Sequence, residues 1–282
     1  MELIYSIMEM QMWVREARQA RKVIAFVPTM GFLHEGHVSL MQEGKKRGDV
    51  LVVSIFVNPT QFGAGEDYGE YPRDLEGDKE KCLRVGADVI FVPSVKEMYQ
   101  PDFQTFVTVE KVTQNLCGIS RPTHFRGVTT VVAKLFNIVK PQVAIFGEKD
   151  YQQLITIRQM VKDVNFDIEI VGMPIVREAD GLAMSSRNKY LSLEERKEAL
   201  CLISSLEKVE HLYRAGERNA QRLINEATQI VTAQPSATID YVKICNPETL
   251  EDIDTIDGSA LMALAVRVGK TRLIDNRMLK EI

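Results

Sequence analysis

"VIAFVPTMGFLHEGHVSLM", residues 23 to 41, opens on five apolar residues, breaks at a proline and a glycine, and ends in a helical pattern. An unbroken apolar run of that length suits a strand covered on both faces, the habit of parallel sheets in α/β folds. His34 and His37 stand three apart beside Gly31 and Gly36. Residues three apart share a helix face. A helix start presents unpaired N–H groups and positive dipole charge, so it favours an anion. The glycines remove side chains where a nucleotide would approach the backbone. Spacing alone leaves three readings open: a metal pair, a merely structural pair, or a phosphate site. The metal reading is the weakest, because His-Glu-Gly-His falls one residue short of the zinc-binding H-E-x-x-H and has no thiolate or acidic ligand at a suitable spacing.

The strand-then-helix order recurs for more than half of the chain. DVLVVSIFV (49–57), ADVIFV (87–92), VAIF (143–146) and DIEIVGMPIV (167–176) read as further strands, and FVTV (106–109) as a short one. RDLEGDKEKCLRVG, RGVTTVVAKLFNIVK and YQQLITIRQMVKDV read as helices; the second stops before Pro141, a good helix end. The pattern predicts a parallel sheet with crossover helices, in which ligands sit at the carboxyl ends of the strands. After Val176 the character changes. A polar loop leads to Ser192-Leu-Glu-Glu195, a capping box expected to start a long helix. NAQRLINEATQIV reads as a second helix, and IDYVKI (239–244) and ALMALAVRV (260–268) as strands. The expectation is a nucleotide-binding α/β domain over 1–176 and a small α+β domain over 177–282.

Composition is that of an ordinary soluble globular protein: of 282 residues, 45% are hydrophobic and 26% charged. A net charge of -4 offers no global attraction to nucleic acid, so any anion site must be local. No run approaches the ~20 apolar residues that span a bilayer, and the N-terminus does not read as a signal peptide. Cys82, Cys117, Cys201 and Cys245 are too widely spaced for a thiolate metal site and suggest free thiols in a reducing cytoplasm.

Polar motifs gather where strand carboxyl ends are expected. Asn58-Pro-Thr-Gln61 follows the second strand, with neutral amides that both donate and accept. Gly147-Glu148-Lys149-Asp150, then Gln152 and Gln153, follow VAIF, and Met184-Ser185-Ser186-Arg187 lies beyond the last strand of the sheet. Each has a bland reading as turn, solvated pair or loop. Their common placement at one rim argues for a site.

PTMGFLHEGH, SIFVNPTQFGAGEDYGEYPRD, RPTHFRGVTTVVAKLFNIVKP, FGEKDYQQL and READGLAMSSRNKYLS together resemble the pantoate–β-alanine ligase (pantothenate synthetase) family, in family order along the chain. ALAVRVGKTRLIDN looks like the family's ending. H-x-G-H alone would indicate only the wider nucleotidyltransferase superfamily; NPTQF and GEKDYQQL are more specific. The resemblance implies a Rossmann-like domain with a smaller C-terminal lid, ATP with Mg²⁺, and a cytoplasmic homodimer. It also implies a two-step ligation of pantoate to β-alanine through pantoyl adenylate. Position by position, it implies that Met30, Gly31, Phe32, Leu33, His34, Glu35, Gly36 and His37 bind ATP, with His37 the general acid. Gly147, Glu148, Lys149, Asp150, Val176, Met184, Ser185, Ser186 and Arg187 would supply the remaining ATP contacts. Gln61 would serve pantoate and β-alanine, Gln153 pantoate, with Asn58 beside Gln61; no protein metal site is implied.

Chemistry agrees with the carry-over. Lys149 and Arg187 are the cations a leaving pyrophosphate requires. Two glutamines can bond a hydroxy acid without adding fixed charge near its reacting oxygen. One residue departs from the family pattern: Thr123 stands where a glycine is expected, and would be strained if that position required positive φ. The neighbouring His124 reads as a structural hydrogen-bonding residue, and Arg126 carries no assigned role. Two competing functions are a nucleotidyltransferase that keeps the nucleotide in its product and a non-enzymatic nucleotide sensor.

Overall fold

The computed structural model describes residues 1 to 281. In chain order the elements are β1 (Glu2–Ile4), α1 (Ile7–Gln19), β2 (Ile24–Thr29), α2 (Glu35–Arg47), β3 (Val50–Ile55), α3 (Leu75–Val85), β4 (Val89–Phe91) and α4 (Val95–Met98). Next come α5 (Cys117–Ser120), α6 (His124–Val139), β5 (Val143–Gly147), α7 (Tyr151–Asp163) and β6 (Glu169–Met173). The series ends with α8 (Leu193–Ala199), α9 (Cys201–Arg214), α10 (Ala220–Thr232), β7 (Ala237–Cys245), β8 (Ala260–Val268) and β9 (Thr271–Leu279). Two compact units result. The first comprises Met1–Val109, Thr123–Glu148 and Gln153–Pro174; the second comprises Glu110–Pro122, Lys149–Gln152 and Ile175–Ile282.

The first unit holds a six-stranded sheet in the order β1-β4-β3-β2-β5-β6, parallel at every pairing. Strand order reverses between β2 and β5, the switch point at which Rossmann-like sheets bind ligands. The apolar runs are continuous because both faces are covered. Phe26, Val52, Phe91 and Phe146 pack on one face with α1, α6 and α7. The alternate residues Ala25, Val27, Leu51, Val53, Ile90 and Ile145 pack on the other, with Val38 and Met41 of α2 and Cys82 of α3. That is the period of two expected of a strand.

The second unit has a three-stranded antiparallel sheet, β7-β8-β9, with its own core. Leu206, Val209, Leu223 and Ala227 from α9 and α10 pack with Met262, Leu264 and Val266 of β8.

Three expectations change. Residues 106–109 form no strand. Val107 instead gives its N–H to Thr130 Oγ1 (3.0 Å) and accepts from Thr129 Oγ1 (2.6 Å), so side chains of α6 take the backbone groups a ladder would use. The long helix after the capping box is two helices, broken at Leu200, whose N–H bonds to Lys197 in a tightened turn. Thr123 carries no left-handed strain, since its φ is -96°.

Candidate active site

On the first unit, the segment after β2 turns sharply to start α2. Gly31 (φ +80°) and Phe32 (φ +51°) both lie in the left-handed region, where an L side chain costs about 1–2 kcal/mol. The turn is held from behind by Asp78 of α3, which accepts the N–H of Phe32 (2.9 Å) and of Leu33 (2.6 Å). Thr29 Oγ1 donates to Ser54 O of the neighbouring strand and accepts Gly31 N–H, fixing the loop's first residue. Burial raises the Asp78 carboxyl above its ordinary value, against the two N–H bonds that favour its charge.

The histidines sit at the helix start. His34 is the N-cap of α2, its Nδ1 accepting the Gly36 N–H (3.2 Å), while His37 Nδ1 accepts the His34 N–H (3.2 Å). The pair forms a reciprocal capping box, with ring centroids 4.1 Å apart. With Nδ1 accepting in both rings, each imidazole when neutral carries its proton on Nε2. Among the described residues no group of three or more His, Cys, Asp or Glu could hold a metal ion. Glu35, also on this first turn, pairs with Arg84 at 2.8 Å on the surface.

Beyond β3, Asn58 caps the 3₁₀ turn Pro59–Gln61. Only 1% of its surface is exposed, and its amide is fully engaged. Nδ2 donates to Gln61 Oε1 and to Gly127 O (3.1 Å each), and Oδ1 accepts from Thr60 Oγ1 and Tyr99 OH (2.9 Å each). Gln61 Nε2 in turn donates to Met30 Sδ, linking this turn to the histidine loop. His124 Nδ1 lies 2.8 Å from Gln61 O, a hydrogen bond that ties α6 to this turn. The Arg126 guanidinium stacks 4.1 Å above the Phe106 ring. Gly127 is required by close approach: a Cβ there would come within 2.3 Å of Thr60 O. Under this turn lies Lys134 against Phe103 (4.8 Å) and Tyr99 (5.7 Å), and burial lowers its ammonium below the ordinary lysine value. Gly147 ends β5, Glu148 opens the 3₁₀ turn that follows, and Gln153 is half-buried on α7 in the same unit.

The second unit carries the rest. Lys149 and Asp150 lie in a 3₁₀ turn, and Asn276 Nδ2 of β9 donates to Lys149 O (3.0 Å). Gln152 is buried and structural. Its amide accepts from Cys117 N–H (3.0 Å) and donates to Val112 O (2.9 Å) and Asn115 O (2.7 Å), tying residues 112–117 to this turn. Val176 O accepts the Met184 N–H (3.0 Å) at the neck of a hairpin closed by an Arg177–Ala183 bridge, with Gly181 at φ +94° in its tip. Ser185 then caps a 3₁₀ turn, Ser186–Tyr190, by accepting the Arg187 N–H.

Four supporting residues escape any reading of the sequence: Asp78, Tyr99, Gly127 and Asn276. Each acts on a segment far away in the chain, and no local spacing rule links such positions.

A family model for pantoate–β-alanine ligase matches residues 2–278. The pantothenate synthetase of Geotalea uraniireducens is 59% identical over 281 residues, covering 100% of both chains. A pantothenate synthetase structure from Thermus thermophilus superposes with a TM-score of 0.95 at 43% identity, again over 100% of both chains. A Francisella tularensis pantoate–β-alanine ligase, solved with β,γ-ATP and β-alanine, gives a TM-score of 0.78 at 35% identity, over 99% of this chain and 97% of its own. The chain belongs to the pantoate–β-alanine ligase family.

Proposed function

We propose that the chain ligates pantoate to β-alanine in two steps on ATP, and that the residues above divide the work as follows. Pantoate carboxylate attacks the α-phosphorus, the bond to pyrophosphate breaks, and pantoyl adenylate forms; the β-alanine amine then displaces AMP. The observation that carries this reading is the paired Nδ1 acceptance of His34 and His37 at a helix start, which leaves Nε2 as the protonated nitrogen of each neutral ring beside a positive helix end. Such donors favour the charge that builds on phosphate oxygens in the transition state. His37 serves as the general acid.

Gln61 and Gln153 take the hydroxy acid, and Asn58 acts by orienting Gln61. Lys149 and the Met184–Arg187 turn take the phosphates released, with Val176 and residues 147–150 completing the nucleotide contacts. Arg187 can fork onto two phosphate oxygens. Mg²⁺ belongs to the same proposal, carried in on the phosphates and water rather than by a protein cage, which suits a small, reluctantly dehydrated ion. A homodimer and a cytoplasmic location rest on the family resemblance and, for location, on four cysteines that are all free thiols; light scattering on the purified protein reads the first directly. No helix among the described residues is long and apolar enough to cross a membrane. Retention of the nucleotide in the product has no support in a match to ligases over the whole chain.

The test is pyrophosphate exchange into ATP. It should require pantoate and proceed without β-alanine, and exchange that ignores pantoate would remove the proposal. Within it, Arg187→Ala should slow adenylate formation by ~10²–10³, the usual loss for one preorganised transition-state contact. Reaction of supplied pantoyl adenylate with β-alanine should be nearly unchanged, since no pyrophosphate is present. Equal slowing of both half-reactions would assign Arg187 to folding or closure instead.

A further inference from the structure

Two adjacent polar residues on β9 are buried without any assigned role. Asp275 is 2% exposed and Asn276 8%, in a strand bonded on one side only, to β8. Neighbouring strand residues point to opposite faces, so the two side chains reach different segments of the second unit.

Asp275 accepts a forked bond from Arg177, with Nη1 at 2.7 Å and Nη2 at 3.0 Å. The same Nη1 donates to Gly181 O (3.0 Å), so the guanidinium spans the hairpin from its neck to its tip. That hairpin delivers Met184 to Arg187. Asp275 Oδ1 also accepts the Asn276 N–H (2.8 Å), which locks the two residues together. Asn276 then reaches the other way and bonds Lys149 O. One dipeptide therefore grips both segments whose cations are assigned to the phosphates.

We infer that Asp275 and Asn276 are positioning residues for adenylate formation, holding Lys149 and the Met184–Arg187 turn at a fixed separation within the second unit. The inference rests on the phosphate role given to Lys149 and Arg187. A forked guanidinium–carboxylate pair fixes direction as well as distance. A hydrogen bond from the Asn276 side-chain amide to the lysine's own carbonyl sets where the lysine side chain starts. Misplacement by about 1 Å of a group far from the chemistry can lower a rate 10²-fold.

Asn276 is the residue to change, because Asp275 anchors a buried ion pair whose loss threatens the fold. Asn276→Ala deletes the donor, and Asn276→Asp keeps the shape while replacing the donor by an acceptor that faces a carbonyl. Both should slow single-turnover adenylation about 10-fold or more, with the ATP concentration for half-saturation changed less than twofold. The rate of β-alanine attack on supplied pantoyl adenylate should not move. In a Lys149→Ala background, Asn276→Ala should add little, because it acts through the lysine. Losses that multiply in the double variant, or equal slowing of both half-reactions, overturn the inference, as does unaltered adenylation in both variants. If Asn276→Ala does not fold, Asn276→Asp decides alone. Failure of the functional reading is visible separately, as a wild-type protein without pantoate-dependent pyrophosphate exchange, and would overturn this inference with it.

Discussion

Phe32 shows how a single residue can be held against its own preference. Its left-handed backbone follows Gly31 in the same region, and the two N–H bonds to Asp78 compensate for the conformation. Gly31 is the weaker point to alter. A Cβ there would lie 2.9 Å from Ile55 Cγ2 and 3.0 Å from Asp78 Oδ2, and φ of +80° is strained for any L side chain. Gly31→Ala should lower stability by about 1–2 kcal/mol, read by urea denaturation, and slow adenylation because the turn sets the histidines. Full stability and full rate together would show that the loop has slack. Gln153 is the residue proposed to take the hydroxy acid. Losing a hydrogen bond to a charged group costs ~1.5–3 kcal/mol, so Gln153→Ala should weaken pantoate by ~10–100-fold while sparing ATP. Titration of each substrate against the variant separates the two, and an ATP-only defect would move Gln153 elsewhere.

Among elements, the hairpin before Met184 is braced from two directions. Arg177 ties it to β9, and Arg196 of α8 reaches Glu178 (2.6 Å) and Asp180 (2.7 Å). Partial burial of Asp180 works against its charge, but the Leu182 N–H and the Arg196 guanidinium outweigh it and hold the carboxyl below the usual value. A carboxylate whose folded pKa is depressed adds stability above its unfolded pKa of about 3.9 and loses it as pH falls through the folded value. Asp180→Asn keeps an oxygen for Leu182 but removes the charge and puts an amide donor where Oδ2 accepts from Arg196. Its deficit, about 0.5–1 kcal/mol for a pair this exposed, should be complete at neutral pH and close below pH ~4. Melting curves across that range check the sign; a gap that widens in acid would contradict it. The helix that follows is set by a second capping box, Ser192 with Glu195, with both reciprocal bonds formed.

Among the described residues there are three apolar cores, two on the faces of the first sheet and one in the second unit. Both faces of the first sheet are packed, while the second unit closes around its own three strands. A ligand that binds only the folded chain stabilises it by mass action, ~2.7 kcal/mol at a hundred times its dissociation constant. ATP with Mg²⁺ should therefore raise the melting temperature of the wild type. A variant lacking Lys149 and Arg187 should show much less of that rise at the same concentration. An equal rise in both proteins would place nucleotide binding away from these cations.

Much was legible in residues 23–41 and the runs that repeat their order. Unbroken apolar runs between helical segments determined a parallel sheet, because a strand buried on both faces has no polar side to alternate. Glycines beside paired histidines at a strand end marked a sharp turn into a helix start, since local backbone geometry is written locally. The chain also carried its second capping box and the helix stop before Pro141 in plain view. The tertiary structure alone decided what long-range contacts decide. Residues 106–109 have the β-branched character of a strand, yet Thr129 and Thr130 take their backbone groups. His34 and His37 proved to cap one another, a tautomer-setting geometry that spacing could not separate from metal binding. Asp78, 46 residues from Phe32, and Asn276, 127 residues from Lys149, each hold a loop through hydrogen bonds. A periodicity reports which face of an element is buried, whereas such a bond depends on where two distant elements meet, and only the packed fold determines that.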